Sequence, residues 1–264
     1  MIDMLRVKLN IPVAEPFAVT VKSDALRGRA DMTLFAPSEI KDAKNVPLVI
    51  LLHGACGSHW NWTVKGDAHR TAQRLISSGE IPPVALAMPS DGHWGNGSGY
   101  IPHPAQDFEK WILEEVPSAA AAALPCLSNQ SPLFMAGLSM GGFGALRIGA
   151  KYPARYRGLS GLSSVTHIDE MVRHVDPDFR RCQPRAEDTS VFETMLKNRN
   201  SLPPFRFDCG TEDILIEQNR ALHRQLDAEG IPHNYVEFPG KHDWVYWTEH
   251  LADTLKFFGE ILAR

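Results

Sequence analysis

The sequence predicts an α/β fold: a mostly parallel central sheet with helices on both faces, antiparallel N-terminal strands, and a small helical insertion near 163–204. Three observations carry this. The first part of the chain alternates apolar and polar residues. Six short runs rich in apolar residues follow, from "PLVILLHG" to "NYVEFPG". Helix-like stretches lie between those runs, the rhythm of strand–helix–strand units.

The elements are justified in chain order. "RVKLNIPV", "FAVTVKS" and "RADMTLFAP" alternate as half-exposed antiparallel strands do. "PLVILLHG", "PPVALAMP", "SPLFMAGL", "YRGLSGLS", "PFRFDCG" and "NYVEFPG" are short runs dominated by apolar residues, which fits central strands buried on both faces. "DAHRTAQRLISSG" reads as a helix with Asp67 as its N-cap and Gly79 as its stop. "AQDFEKWILEEVPSAAAAAL" places Phe108, Trp111, Ile112 and Glu115 at helical spacing. "GGFGALRIGAKYP" ends at a proline and "ILIEQNRALHRQLDAEG" at a glycine. Asp243 reads as the cap of a last helix. Between Ser163 and Pro204 only short amphipathic pieces appear, "HIDEMVRHV" and "TSVFETMLKN". An interval of that length is expected to be a cap-like insertion over one sheet edge, not a bare loop.

Composition bounds the function. The chain has 264 residues, 44% hydrophobic and 22% charged, an ordinary globular balance for one domain over 1–264. A net charge of −4 calls for neither nucleic acid nor an anionic membrane surface. No stretch approaches the roughly 18 apolar residues of a membrane helix, and "MIDMLRVKLN" does not read as an export signal. A cytoplasmic location is the expectation, with Cys56, Cys126, Cys182 and Cys209 as free thiols. A homo-oligomer is compatible with this composition.

The chemistry begins at Gly137-Leu138-Ser139-Met140-Gly141, a G-x-S-x-G between a predicted strand and a predicted helix. A serine on so sharp a turn takes a strained backbone, and the positions two before and two after it crowd each other. Only small residues fit there. The hydroxyl is left at the carboxyl end of the sheet, under the positive end of the helix. A serine hydroxyl needs a base to take its proton, and the base needs a third group to fix its tautomer. The partners are expected in the order Ser, acid, His, each after a later strand. Glu212 and Asp213 follow "PFRFDCG", and His242 follows "NYVEFPG". Spacing alone leaves Glu212 and Asp213 both open. His53 ends the "VILLHG" strand near the same edge and reads as a packing residue.

The developing oxyanion needs backbone N–H donors. Met140, after the nucleophile, supplies one. The loop "HGACGSHWNW" supplies the other, from Ala55, with Cys56 and Gly57 as alternatives. Trp60, Trp62, Trp94 and Trp244 lie in loops near this edge and are expected to shape an aromatic substrate pocket, with core packing the competing expectation, most of all for Trp244 and Trp247.

"LLHGACGSHWNW", "GLSMGGFGALRIGAKYPARYRGLSGLSS", "CGTEDILIEQN" and "FPGKHDWVYW", in this order, resemble the esterase D-type branch of the α/β-hydrolases. That branch includes tributyrin-type and aryl esterases, S-formylglutathione hydrolases, feruloyl and acetylxylan esterases, and mycolyltransferases. The resemblance runs from about Thr33 to the C-terminus. It implies the α/β-hydrolase fold, a Ser139–Asp213–His242 triad in which the second carboxylate of G-T-E-D is the acid, and Ala55 and Met140 as oxyanion donors. The implied activity is a serine carboxylesterase acting on small acyl or aryl esters, with a small-molecule substrate and no cofactor or metal. S-formylglutathione hydrolases usually carry G-H-S-M-G-G and S-G-L-T-C; this chain has G-L-S-M-G-G and H-G-A-C-G, which weighs against a glutathione thioester.

Rival readings are an S-formylglutathione hydrolase, an acyltransferase using the same acyl-enzyme, and a non-catalytic binding protein of this fold. A complete nucleophile, acid and base argue against the last. Asp91, His93, His103 and Asp107 sit close in sequence but match no known metal-ligand spacing, which argues against a metallohydrolase.

Overall fold

A computed structural model describes residues 14–40, 43–92 and 95–264. The expected strand "RVKLNIPV" lies outside the described residues. Among the described residues eight strands form one sheet: β1 (Phe17–Ser23), β2 (Gly28–Phe35), β3 (Leu48–Leu52), β4 (Ala85–Pro89), β5 (Leu133–Leu138), β6 (Gly158–Leu162), β7 (Phe205–Gly210) and β8 (Asn234–Phe238). Their order is β1-β2-β4-β3-β5-β6-β7-β8. The β1–β2 and β2–β4 pairs are antiparallel. All other pairs are parallel, so β3 to β8 point their carboxyl ends the same way, β1 shares that direction after two reversals, and β2 alone runs against it.

The helices among the described residues are α1 (Asn61–Val64), α2 (Ala68–Ser77), α3 (Phe108–Lys110), α4 (Val116–Ala123), α5 (Met140–Lys151), α6 (Ile168–His174), α7 (Val191–Lys197), α8 (Ile216–Ala228) and α9 (Trp244–Leu262). A π-helical turn, Trp111–Glu115, joins α3 to α4. Asp243 caps α9 as expected, its Oδ1 accepting from Val245 N–H and Tyr246 N–H, both at 3.1 Å. Asp67 occupies the N-cap position of α2 but makes no capping bond; it lies 3.4 Å from Arg70 instead.

The core is two-layered because strand side chains alternate. Leu48, Ile50 and Leu52 of β3 join α4, α5 and α8 residues such as Val116, Phe143 and Leu222. Val49 and Leu51 face the other side, with Leu75 of α2 and Leu251, Leu255 and Phe258 of α9. Continuous apolar runs are what a strand covered on both faces requires. β8 departs from that expectation. It is an edge strand of mostly half-buried residues, and among the described residues nothing pairs beyond it.

The 163–204 insertion holds α6 and α7 and is tied to the sheet layer by a buried charge cluster. Arg147 of α5 is fully buried. Its Nη1 donates to Glu109 Oε2 at 2.5 Å and to Asp188 Oδ1 at 2.7 Å, and its Nη2 donates to the Tyr100 carbonyl at 2.8 Å. Lys151 Nζ donates to the same two carboxylates, at 2.9 and 2.7 Å. Two cations thus face two carboxylates, and the positive neighbours hold the Glu109 carboxyl below its usual range despite its burial. Asp188 belongs to the insertion, so one ion pair fixes it to the helix that follows Ser139. Removing one partner of a buried pair costs about 3–5 kcal/mol, because the other charge is left without compensation. Asp188→Ala is therefore expected to lower unfolding stability by about that amount in urea denaturation, and half-exposed surface changes such as Arg199→Ala by under about 0.5 kcal/mol.

Candidate active site

Ser139 stands between β5 and α5 with φ 53° and ψ −119°, a conformation that costs a non-glycine residue about 1–3 kcal/mol. Three backbone bonds hold it. Ser139 N–H donates to the Leu162 carbonyl at 2.9 Å, and the Ser139 carbonyl accepts from Phe143 N–H and Val165 N–H, both at 3.1 Å. The glycines on either side are required by space. A Cβ at Gly137 would strike the Gly141 carbonyl, and a Cβ at Gly141 would strike the Leu52 carbonyl. Backbone lies against backbone there, so neither clash can relax.

Asp213 and His242, the expected acid and base, lie on two later turns that touch. A Cβ at Gly210 would strike the Gly240 carbonyl. Thr211 N–H donates to the Phe238 carbonyl at 2.8 Å and Glu212 N–H to the Gly240 carbonyl at 2.9 Å. This stitching of the β7 and β8 turns sets Asp213 beside His242. His242 Nδ1 lies 3.0 and 2.9 Å from the two Asp213 carboxylate oxygens, and Nε2 lies 3.0 Å from Ser139 Oγ. A carboxylate can only accept, so Nδ1 carries the ring hydrogen and Nε2 faces the serine hydroxyl as an acceptor. The Asp213 side chain is fully buried, and its Oδ1 also accepts from Leu215 N–H at 2.8 Å. Glu212 points outward instead, 64% exposed and 3.8 Å from Lys241 Nζ. The His242 ring stands edge-on to Trp247, with centroids 5.0 Å apart.

The β3 loop closes over the serine. A Cβ at Gly54 would come 2.6 Å from Leu138 Cδ1 and 3.3 Å from Ser139 Cβ. Two of the three donors considered in this loop are used: Cys56 N–H donates to the Asn96 carbonyl at 2.7 Å and Gly57 N–H to the Gly54 carbonyl at 3.2 Å. Among the described residues no acceptor meets Ala55 N–H. Met140 opens α5, and the first N–H groups of a helix have no intrahelical acceptor. His53 packs behind, fully buried, with Nε2 accepting from Asp91 N–H at 3.1 Å.

A cavity of about 300 Å³ opens above Ser139. Ala55, Val165, His174, Leu215, Trp244 and Trp247 are among its lining residues. Trp244 lines the cavity, one of the two placements the sequence leaves open for it. Trp62 does not: it is fully buried, its indole N–H donating to the Leu52 carbonyl at 3.1 Å, and it backs Trp244 edge-on at 5.5 Å. Trp60 is 42% exposed and does not line the cavity. Trp94 lies outside the described residues. Val165, His174 and Val175 come from the insertion, and the sequence carries no motif that singles them out. Trp247 had a signal, its three-residue spacing from Trp244 on one helix.

The Esterase family model matches residues 23–258. An acetyl esterase of Caldicellulosiruptor saccharolyticus is 28% identical over 239 residues, covering 83% of this chain and 86% of the relative. Among solved structures, a ferulic acid esterase superposes with a TM-score of 0.79 at 22% identity, over 94% of this chain and 98% of that one. An S-formylglutathione hydrolase (FrmB) of Staphylococcus aureus superposes with 0.77 at 18% identity, over 92% and 98%. At these identities the two structures speak for the fold, which is of the α/β-hydrolase type.

The glycine crowding is open to test. Gly137→Ala is expected to cost about 3 kcal/mol in urea denaturation, the upper end of overpacking penalties, because the obstruction is backbone. Gly28→Ala, where a Cβ meets nothing nearer than 3.7 Å, is expected to change stability by under about 1 kcal/mol.

Proposed function

The chain belongs to the Esterase family and is a serine esterase, a carboxylic ester hydrolase; from that premise we propose that it cleaves small acyl or aryl esters through a Ser139 acyl-enzyme. The single observation behind this reading is the continuous hydrogen-bonded line from Asp213 through His242 to Ser139 Oγ, opening into a small cavity. In the proposed reaction His242 Nε2 takes the Ser139 proton as Oγ attacks the ester carbonyl. Asp213 holds the Nδ1–H and stabilises the imidazolium that forms. The N–H groups of Ala55 and Met140 bind the oxygen on which negative charge develops. His242 then protonates the leaving alcohol. A water, activated by the same imidazole, releases the acid and restores Ser139. The chain's own groups account for every proton moved.

The substrate class rests on the cavity. About 300 Å³ is at the small end of ligand pockets, and its walls combine two indoles with aliphatic residues of the insertion. We assign residues 163–204 the role of a cap within one domain, and Trp244 with Trp247 the role of an aromatic wall. A cytoplasmic location is part of the proposal, supported by four unpaired cysteines. Among the described residues no helix is long and apolar enough to cross a membrane.

Two measurements follow. With p-nitrophenyl acetate, Ser139→Ala is expected to lower kcat by about 10⁴-fold or more, and Asp213→Asn by about 10³–10⁴-fold, with Glu212→Gln within about threefold of the parent. A severe loss in Glu212→Gln alone would give it the acid's role. Across p-nitrophenyl esters of increasing chain length, kcat/KM is expected to peak from acetate to butyrate and fall at least about tenfold by decanoate.

A further inference from the structure

A second cluster of chemistry-bearing side chains lies far from Ser139 along the fold. His223 and Asp227 sit one turn apart on α8, and His233 lies in the loop just before β8. One ligand atom from each of the three falls within 4.8 Å of the others. Ser139 and His242 stand at the carboxyl ends of the strands, whereas His233 stands at the amino end of β8.

We propose that His223, Asp227 and His233 bind one divalent transition-metal ion of the zinc class, joining the end of α8 to the start of β8. The hydrogen-bond pattern supports this. His233 Nδ1 lies 2.8 Å from the Ile231 carbonyl, which can only accept, so Nδ1 carries the hydrogen and Nε2 presents a bare lone pair. A backbone carbonyl on the far nitrogen is the usual orienting partner of a metal-ligating histidine. In the metal-free arrangement that lone pair accepts from His223 Nδ1–H at 2.8 Å, a hydrogen that the ion would replace. The other nitrogen of His223 lies 3.4 Å from the Asp227 carboxylate, which also only accepts. Two imidazoles and a carboxylate therefore converge with more acceptors than hydrogens, an arrangement that a cation satisfies.

The site is also held in place. The His233 side chain is 3% exposed and stacks on Phe205 and Phe207, with centroids 5.9 and 5.6 Å apart. The His223 ring lies on Tyr235 at 4.7 Å. His223 and Asp227 are 37% and 61% exposed, so an ion can enter from solvent and keep water as a further ligand. Two tetrahedral Zn–N bonds of roughly 2.0–2.1 Å place their nitrogens about 3.3 Å apart. The rings need to separate by only about 0.5 Å from their present contact, a shift that the partly exposed His223 can supply by rotation. Imidazole with carboxylate suits zinc, nickel or copper better than calcium or magnesium.

The test is calorimetric titration of ZnCl₂ into the metal-stripped full chain, with thermal unfolding alongside. The expected result is one saturable site and a Tm that rises with Zn²⁺ and falls back with EDTA. His223→Gln and Asp227→Asn should each weaken binding at least about tenfold, and the double variant should lose both the site and the Tm response. No saturable binding by the parent chain, or undiminished binding by the double variant, overturns the proposal. A measurement on the unaltered chain guards against misfolded variants: Zn²⁺ should move the imidazole resonances of His223 and His233 and leave those of His69 in place. Shifts confined to other histidines overturn it equally.

Discussion

Ser139 is held at φ 53° where a non-glycine residue is strained, and its surroundings are arranged around that one backbone angle. The turn survives because β5 is clamped between β3 and β6, and because Gly137, Gly141 and the Leu52 carbonyl lie too close for any other geometry. Strain of about 1–3 kcal/mol is small against the burial of two sheet faces. The consequence is positional. The Ser139 hydroxyl stands clear of the strand end, α5 starts immediately beneath it, and the β3 loop has nowhere to go but against it.

The same logic brings Asp213 and His242 to the serine. Asp213 and His242 are 29 residues apart in sequence, and neither would find the serine without the contact between the Gly210 and Gly240 turns. Parallel pairing of β5, β6, β7 and β8 puts all three turns on one edge of the sheet. The imidazole then links a buried carboxylate to an accessible hydroxyl. Asp213, fully buried, keeps two acceptors aimed at Nδ1, and this orientation is what the exposed Glu212 lacks. On the opposite side of the sheet layer, the Arg147–Asp188 pair fixes the insertion against α5, so the wall that supplies Val165 and Val175 to the cavity is anchored to the serine's own helix.

The sheet was legible because periodicity is a property of single segments. β3 and β5 are buried on both faces and show unbroken apolar runs, and β1 shows alternation. The serine turn was legible because close approach forces glycine at fixed offsets, and the order of acid and base follows from the strand order. Side-chain direction was not legible. Trp60, Trp62 and Trp244 belong to two similar aromatic stretches, yet one lies at the surface, one in the core and one on the cavity wall. That outcome depends on how α1 meets α9, which no local pattern states. β8 reads as apolar but lies at an edge, because apolarity reports burial on average and not the absence of a neighbouring strand. Glu212 and Asp213 differ only in which way the turn points them, and the turn is set by tertiary stitching to Gly240.

The central claim is that the Ser139 hydroxyl, activated by His242, becomes covalently acylated. The most direct measurement is mass spectrometry of the protein quenched during turnover of p-nitrophenyl acetate, followed by peptide mapping. The account predicts a single acetyl group on the peptide that carries Ser139, formed within the kinetic burst and lost as turnover ends. An acetyl group on another residue during the burst, or turnover by Ser139→Ala at the parent rate, would contradict it.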